Sequence, residues 1–314
     1  MNSRVKLQDI ADELHLSKNT VSRALRDCSD IGEKTKILVK DKAKEMGYIP
    51  NALSIFLREN SSKLIGIVTS DLSNPYYCIH IDRLIKSLSG IGLVPITILT
   101  DSGYLDFHVL KSLLNYQVCA IISFQDYSQD TYEFLKDKNI PIYLYGLLSE
   151  HENTKSIYTD DYLGGALVAR EYIKSDKYKR PCMITWHNHT DTFRRRSKGF
   201  LDEMSKYNIP CDVIVTGYSN EKYDEIIKKY DFIFAYCDAL GINFMEYKNK
   251  VSKKNIEIFG FDGLSFYNPI NKTIKSISAD ADSMVKYVTK EIKQKLENPE
   301  YELKSKKFPV KLLK

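Results

Sequence analysis

At 314 residues the chain is long enough for two or three domains, and 43% hydrophobic with 28% charged residues excludes a disordered, collagenous or disulfide-stapled chain. No apolar run approaches the roughly 18 residues of a membrane span, and Met1–Asp9 carries charge with no apolar signal core behind it, so a cytoplasmic protein with no membrane partner is expected. The net charge of +5 is unevenly placed: residues 1–63 hold 12 Lys/Arg against 9 Asp/Glu, residues 304–314 hold five Lys and no acid, and the stretch between holds 29 against 32. A basic amino-terminal segment fits a nucleic-acid-binding module. The lysine tail reads as a solubilising terminus. Cys28, Cys78, Cys119, Cys182, Cys211 and Cys237 include no C-x-x-C pair, so they are expected mostly as small buried hydrophobes, with no metal and no cofactor.

Leu7, Ile10, Ala11 and Leu14 fall at helical spacing, and Val21 and Leu25 repeat the stripe after a tight turn. Ser17 is placed to cap the second helix by accepting from the backbone N–H of Asn19 or Thr20. A third helix is marked by Thr35, Val39, Ala43 and Met46, with Gly47 as its C-terminal cap and Pro50 forbidding continuation. Three short helices on one small core follow the helix-turn-helix plan over residues 1–49, whose second helix enters the major groove. Lys18 and Arg23 can donate to guanine O6/N7 and Asn19 can pair with adenine. Thr20 and Ser22, with the amide groups at the Ser17 helix start, suit phosphate oxygens.

The runs Val5–Ala11, Leu16–Leu25 and Met46–Leu53 resemble the lactose/galactose repressor (LacI/GalR) family of bacterial transcription regulators: T-V-S-R-x-L is followed some twenty residues later by G-Y-x-P-N-A. Where that family has Ala-Gly before the recognition helix this chain has Leu14-His15, at a position expected to need positive φ. The resemblance makes residues 50–63 a linker headed by a short hinge helix, adding Asn51 and Leu57 to the DNA-facing set. Leu57 would wedge into a minor-groove base step, or pack on the core domain. The family's Ala-Arg is replaced by Ser54-Ile55, which moves a minor-groove arginine to Arg58 or removes it.

From residue 64 to 314 short apolar runs alternate with helical stretches. Strands are expected at Leu64–Ser70, Leu93–Leu99, Val118–Phe124, Pro141–Tyr145, Ile157–Thr159, Pro181–Trp186, Cys211–Thr216, Phe232–Tyr236, Ile256–Phe261 and Thr273–Ser278. Amphipathic helices such as Asp82–Gly90, Asp161–Lys174, Thr192–Tyr207 and Ala239–Lys248 lie between them. This is βαβ grammar, and so many strands suit two doubly wound parallel-sheet α/β lobes with a cleft at their carboxyl ends. The lobes are expected at about 64–160 plus 279–296 and about 161–278 plus 297–314.

Along this stretch Asn74–Tyr77, Asp160–Gly165 (with Asp161 for the usual Asn), Arg196–Phe200, Cys237–Gly241 and Gly260–Asp262 resemble motifs of the same family, whose core is similar to type I periplasmic sugar-binding proteins. The resemblance implies an effector site at Ser70, Tyr76, Arg196, Asp238 and Asp262, with Tyr or Trp186 offering an apolar face to a sugar ring. Asp238 and Asp262 have a second reading as helix caps. Cys237 and Ala279 remove two polar groups usual in the family. Trp186–His189 has poor metal spacing, Arg194-Arg195-Arg196 reads as a solvated helix start with one inward arginine, and Gly164-Gly165 fits no phosphate loop.

The expectation is a homodimeric regulator, in the sense of a repressor, that binds palindromic double-stranded operator DNA under the control of a small-molecule effector, a carbohydrate by resemblance. The alternative is a two-lobed enzyme or carrier with an accessory helical head. No nucleophile motif such as G-x-S-x-G is present in the sequence to favour an enzyme.

Overall fold

A computed structural model describes residues 5–49, 62–138, 140–152, 154–186, 190–217, 219–264 and 274–313. The expected hinge helix, with Asn51, Ser54, Ile55, Leu57 and Arg58, lies outside the described residues, as do His187 and His189. The chain divides into two units between Ser62 and Lys63.

In the first unit α1 (Leu7–Glu13), α2 (Lys18–Leu25) and α3 (Glu33–Glu45) bury Ile10, Ala11, Val21, Ala24 and Val39 against one another. The connection between α1 and α2 passes through His15 at φ 51°, the left-handed conformation expected there. Ser17 accepts from the Thr20 amide at 3.0 Å. At the end of α3, Gly47 takes φ 68° and the Tyr48 amide donates back to the Ala43 carbonyl at 2.8 Å.

The second unit holds two sheets. The first runs β2-β1-β3-β4-β5-β11, from β1 (Leu64–Thr69), β2 (Val94–Leu99), β3 (Ala120–Ser123), β4 (Ile142–Tyr145), β5 (Ser156–Thr159) and β11 (Lys306–Phe308), all parallel. The second runs β7-β6-β8-β9-β10-β12, from β6 (Pro181–Thr185), β7 (Asp212–Val215), β8 (Phe232–Ala235), β9 (Glu257–Phe261), β10 (Lys275–Ala279) and β12 (Val310–Leu313), with only β12 antiparallel. Each of the ten expected strands overlaps one of β1–β10. In both sheets the strand order reverses beside the first strand, at β1/β3 and at β6/β8, which opens a crevice at the strand carboxyl ends. The connecting helices are α4 (Pro75–Ser89), α5 (Phe107–Asn115), α6 (Gln129–Leu135), α7 (Asp161–Ile173), α8 (Asp191–Ser205), α9 (Asn220–Lys229), α10 (Asp238–Val251) and α11 (Ala281–Glu297). The first of these starts seven residues before the expected Asp82, because Pro75 occupies its first turn and the Asn74 side chain caps the Tyr76 amide.

The lysine-rich end is a correction. Its backbone supplies β11 and β12, one strand to each sheet, so Lys306–Phe308 belongs with the first lobe and not the second. Phe308 is buried in the first core and Val310 in the second, while Lys304, Lys306, Lys307 and Lys311 stay at the surface. The cysteines also differ from expectation: Cys182 and Cys237 are buried, Cys28, Cys119 and Cys211 are half-buried, and Cys78 is exposed.

Gly165 and Gly199 serve helix packing, while Gly164 lets the helix lie against Phe261 and Ile277 of the sheet. A Cβ on Gly165 would lie 2.0 Å from the Arg196 carbonyl oxygen, and one on Gly199 would lie 1.9 Å from that of Tyr162. Helices α7 and α8 therefore meet backbone to backbone, and this contact fixes where Arg196 and Asp161 stand. No helix of the described residues is long and apolar enough to cross a membrane.

Candidate functional site

Helix α2 presents Lys18 and Asn19 to solvent. The Ser17 and Thr20 hydroxyls share a 2.8 Å hydrogen bond with each other, which stiffens the helix start. Arg23 is braced: its guanidinium pairs with Asp30, both side chains being about half exposed, and the contact raises the arginine and lowers the carboxyl in their affinity for protons. Asp30 was not marked by the sequence, because the loop that returns it to α2 has no periodicity of its own.

The second candidate site is a cavity of about 510 Å³ in the crevice between the two sheets. On one side stand Tyr76 and Tyr77 of α4, Phe124–Tyr127 after β3, and Tyr145 at the end of β4. On the other stand the start of α8, Tyr236 after β8 and Asp262 after β9. Of the expected effector residues, the cavity brings together Tyr76, Arg196 and Asp262.

Arg196 is the centre of the arrangement, only 5% exposed. Its Nε donates to Asp161 Oδ1 at 2.9 Å, Nη1 donates to the Tyr236 carbonyl at 2.8 Å, and Nη2 lies 3.5 Å from Asp262 Oδ1. The guanidinium carbon sits 3.5 Å above the Phe261 ring centre. Burial works against the Arg196 charge, but the Asp161 and Asp262 carboxylates outweigh it and keep the group ionised. Burial raises Asp161 and Asp262 above the usual carboxylate range, and Arg196 offsets this in part. Asp262 has φ 119°, a conformation that costs a non-glycine residue about 1–3 kcal/mol. The ladder holds it there: its amide donates to the Ile277 carbonyl at 2.7 Å and the Gly263 amide donates to Ser276 Oγ at 2.9 Å. Arg194 and Arg195 pair with Glu150 and Asp191, so one arginine of the three points inward, as expected.

Three expected residues stand elsewhere. Asp238 is fully buried and accepts from Ser276 Oγ at 2.7 Å and from the Leu264 amide at 2.6 Å; it ties the loop after β9 to β10 and is not among the cavity-lining residues. Ser70 reaches the site only through Gln125, whose Nε2 donates to Ser70 Oγ at 3.0 Å. Trp186 packs against the cluster that includes Ile184 and Tyr223. Ring faces come instead from Tyr76, Tyr77, Phe124, Tyr145 and Tyr236, of which the sequence motifs mark Tyr76 and Tyr77. Phe124, Tyr145 and Tyr236 all sit at strand carboxyl ends, and the rule that ligands gather there was the available signal. Among the described residues no group of three or more His, Cys, Asp and Glu is placed to hold a metal.

Behind the rings, His80 Nδ1 lies 2.8 Å from Tyr145 Oη, and burial pushes the imidazole down to about 3. The unfolded chain takes up this proton near pH 6.5, so the fold loses stability as pH falls from there toward 3. Between pH 7 and pH 5 the wild type should lose about 2 kcal/mol more than His80→Gln in urea unfolding. Asp262 works in the opposite sense but is common to both proteins. Parallel pH profiles would remove His80 from the account.

Residues 6–51 match the family model of bacterial regulatory proteins, lacI family. The chain is 26% identical over 303 residues to the sucrose operon repressor of Lactococcus lactis subsp. lactis, an alignment covering 92% of this chain and 93% of the relative. The lac repressor dimer bound to operator and an anti-inducer superposes with a TM-score of 0.79 at 17% identity, covering 99% and 98% of the two chains. A LacI family transcriptional regulator from Enterococcus faecium with bound ribose gives 0.70 at 20% identity, covering 80% of this chain and 97% of that one.

Proposed function

The chain belongs to the lacI family of bacterial regulatory proteins, and we propose that it is a cytoplasmic homodimeric repressor. Its operator affinity is controlled by a small polyhydroxylated effector held by Tyr76, Arg196 and Asp262 in the cleft. The observation that carries this reading is the amino-terminal unit. Its family match coincides with a capped recognition helix whose Lys18 and Asn19 are open to solvent. Support for the second half comes from the cleft, where ring faces and a buried guanidinium converge from both sheets as a sugar requires. A ligand bridging Tyr76 on one side and Arg196 on the other favours closed lobes, and closure is the two-state element through which the head is controlled. Leu57 and Asn51 join the DNA-facing set in this proposal. A dimer follows from geometry, since one head reads one half-site.

The competing enzyme or carrier reading has less support, because the relatives matched over most of their length are named as repressors and regulators. Selection from random duplex DNA by the full chain tests the proposal. A twofold-symmetric sequence should emerge, and Asn19→Ala should relax preference at one position per half-site by about 1–3 kcal/mol. Failure to enrich any sequence would reject the reading.

A further inference from the structure

The cleft holds more carboxyl groups than its arginines can pair. Four lining carboxylates, Asp126, Glu150, Asp191 and Asp262, face two lining guanidinium groups, Arg194 and Arg196. Glu150 is matched by Arg194 at 2.7 Å and Asp191 by Arg195 at 2.6 Å, so the rim is neutral. The floor is different. Arg196 is shared by two carboxylates, and it lies closer to Asp161, behind the cavity, at 2.9 Å than to Asp262, which faces the cavity, at 3.5 Å. A third donor position is spent on the Tyr236 carbonyl. Among the described residues Asp262 thus has only this long contact to a cation although its side chain is 7% exposed; burial accordingly raises its carboxyl to about 7, so that a cation in the cavity would hold it ionised, and a strained backbone places it at the cavity. Asp126 adds a second carboxylate from the opposite lobe, and among the described residues it accepts from neutral donors, the Tyr127 amide and the Ser149 hydroxyl.

A neutral polyol supplies hydrogen-bond donors to Asp262 but no charge, and a carboxylate or phosphate ligand adds to the excess. An ammonium supplies three donors and the missing charge, and aromatic faces such as those of Tyr76, Phe124 and Tyr145 favour a cation placed over them. We propose that the effector is a cationic polyol of the amino-sugar class, its ammonium held by Asp262 among the cleft's aromatic rings, with Asp161 setting the preference by drawing Arg196 away. This rests on the reading of the cleft as the effector site.

The test is calorimetry on the full chain near neutral pH with three matched pairs: glucosamine and glucose, galactosamine and galactose, mannosamine and mannose. The amine member should bind about tenfold more tightly than its neutral partner. Asp161 does not line the cavity, and Asp161→Asn returns Arg196 to Asp262, so that variant should bring the members of a pair within about threefold. Equal or tighter binding of the neutral member, or a ratio unchanged in Asp161→Asn, overturns the proposal. Absence of binding by all six sugars overturns it too, and a panel of neutral pentoses and disaccharides then separates the two readings. If a neutral sugar shifts operator affinity, the effector cleft stands and the cationic ligand falls; if none does, both fall.

Discussion

Gly165→Ala should destabilise the core by about 3 kcal/mol, toward the upper end of what an inserted methyl costs in a packed interior. The size follows from the obstacle: the new Cβ would fall 2.0 Å from the Arg196 carbonyl oxygen and 2.9 Å from the Phe200 amide nitrogen, backbone atoms that no rotamer change can clear. Alanine normally gains about 1 kcal/mol over glycine inside a helix, so a loss in this direction isolates the contact between α7 and α8. Because that contact seats Arg196, ligand affinity should fall with stability. Urea unfolding of the two proteins checks the value, and a variant as stable as the parent would show that the helices separate freely.

Arg196→Ala should cost about 3–5 kcal/mol, the usual result of removing one partner from a buried ionic group. Two carboxylates, Asp161 and Asp262, remain in the interior with no cation. Both already lie above the usual carboxylate range because of burial, and the loss of Arg196 raises them further. The sign of the pH effect follows. A raised carboxyl favours the fold below its unfolded value near 4 and loses that advantage as pH climbs through the folded value. The penalty in Arg196→Ala should therefore be largest at pH 7 and shrink on acidification toward pH 5. Asp161→Asn in the same chain should recover part of it at neutral pH. A small loss independent of pH would mean that Arg196 contributes packing alone.

Local chemistry made the amino-terminal unit legible. Ser17, His15 and Gly47 act through hydrogen bonds and torsions within a few residues of themselves, and each stands where the sequence placed it. Strands β1 to β10 were legible for a similar reason, since an apolar run bounded by helical stretches has one stable use in a parallel sheet. The carboxyl-terminal strands were masked by charge: Phe308, Val310 and Leu312 alternate with Pro309 and Lys311, a strand pattern hidden within a lysine count. The site was harder because its logic is long-range. Arg23 with Asp30, Asp238 with Ser276, and Arg196 shared between Asp161 and Asp262 are pairings that sequence spacing does not encode. Asp238 shows the consequence, for its motif resembled a ligand residue while the fold uses it to fasten a loop.

The central claim is that occupancy of the cleft controls operator affinity. The selected duplex, titrated with the full chain at fixed salt with and without a cleft ligand identified by calorimetry, tests it most directly. The expected result is a shift of about 5–150-fold, the span of a typical coupling of 1–3 kcal/mol, and no such shift when Arg196 is replaced. Superimposable titrations with the cleft empty and saturated would contradict it.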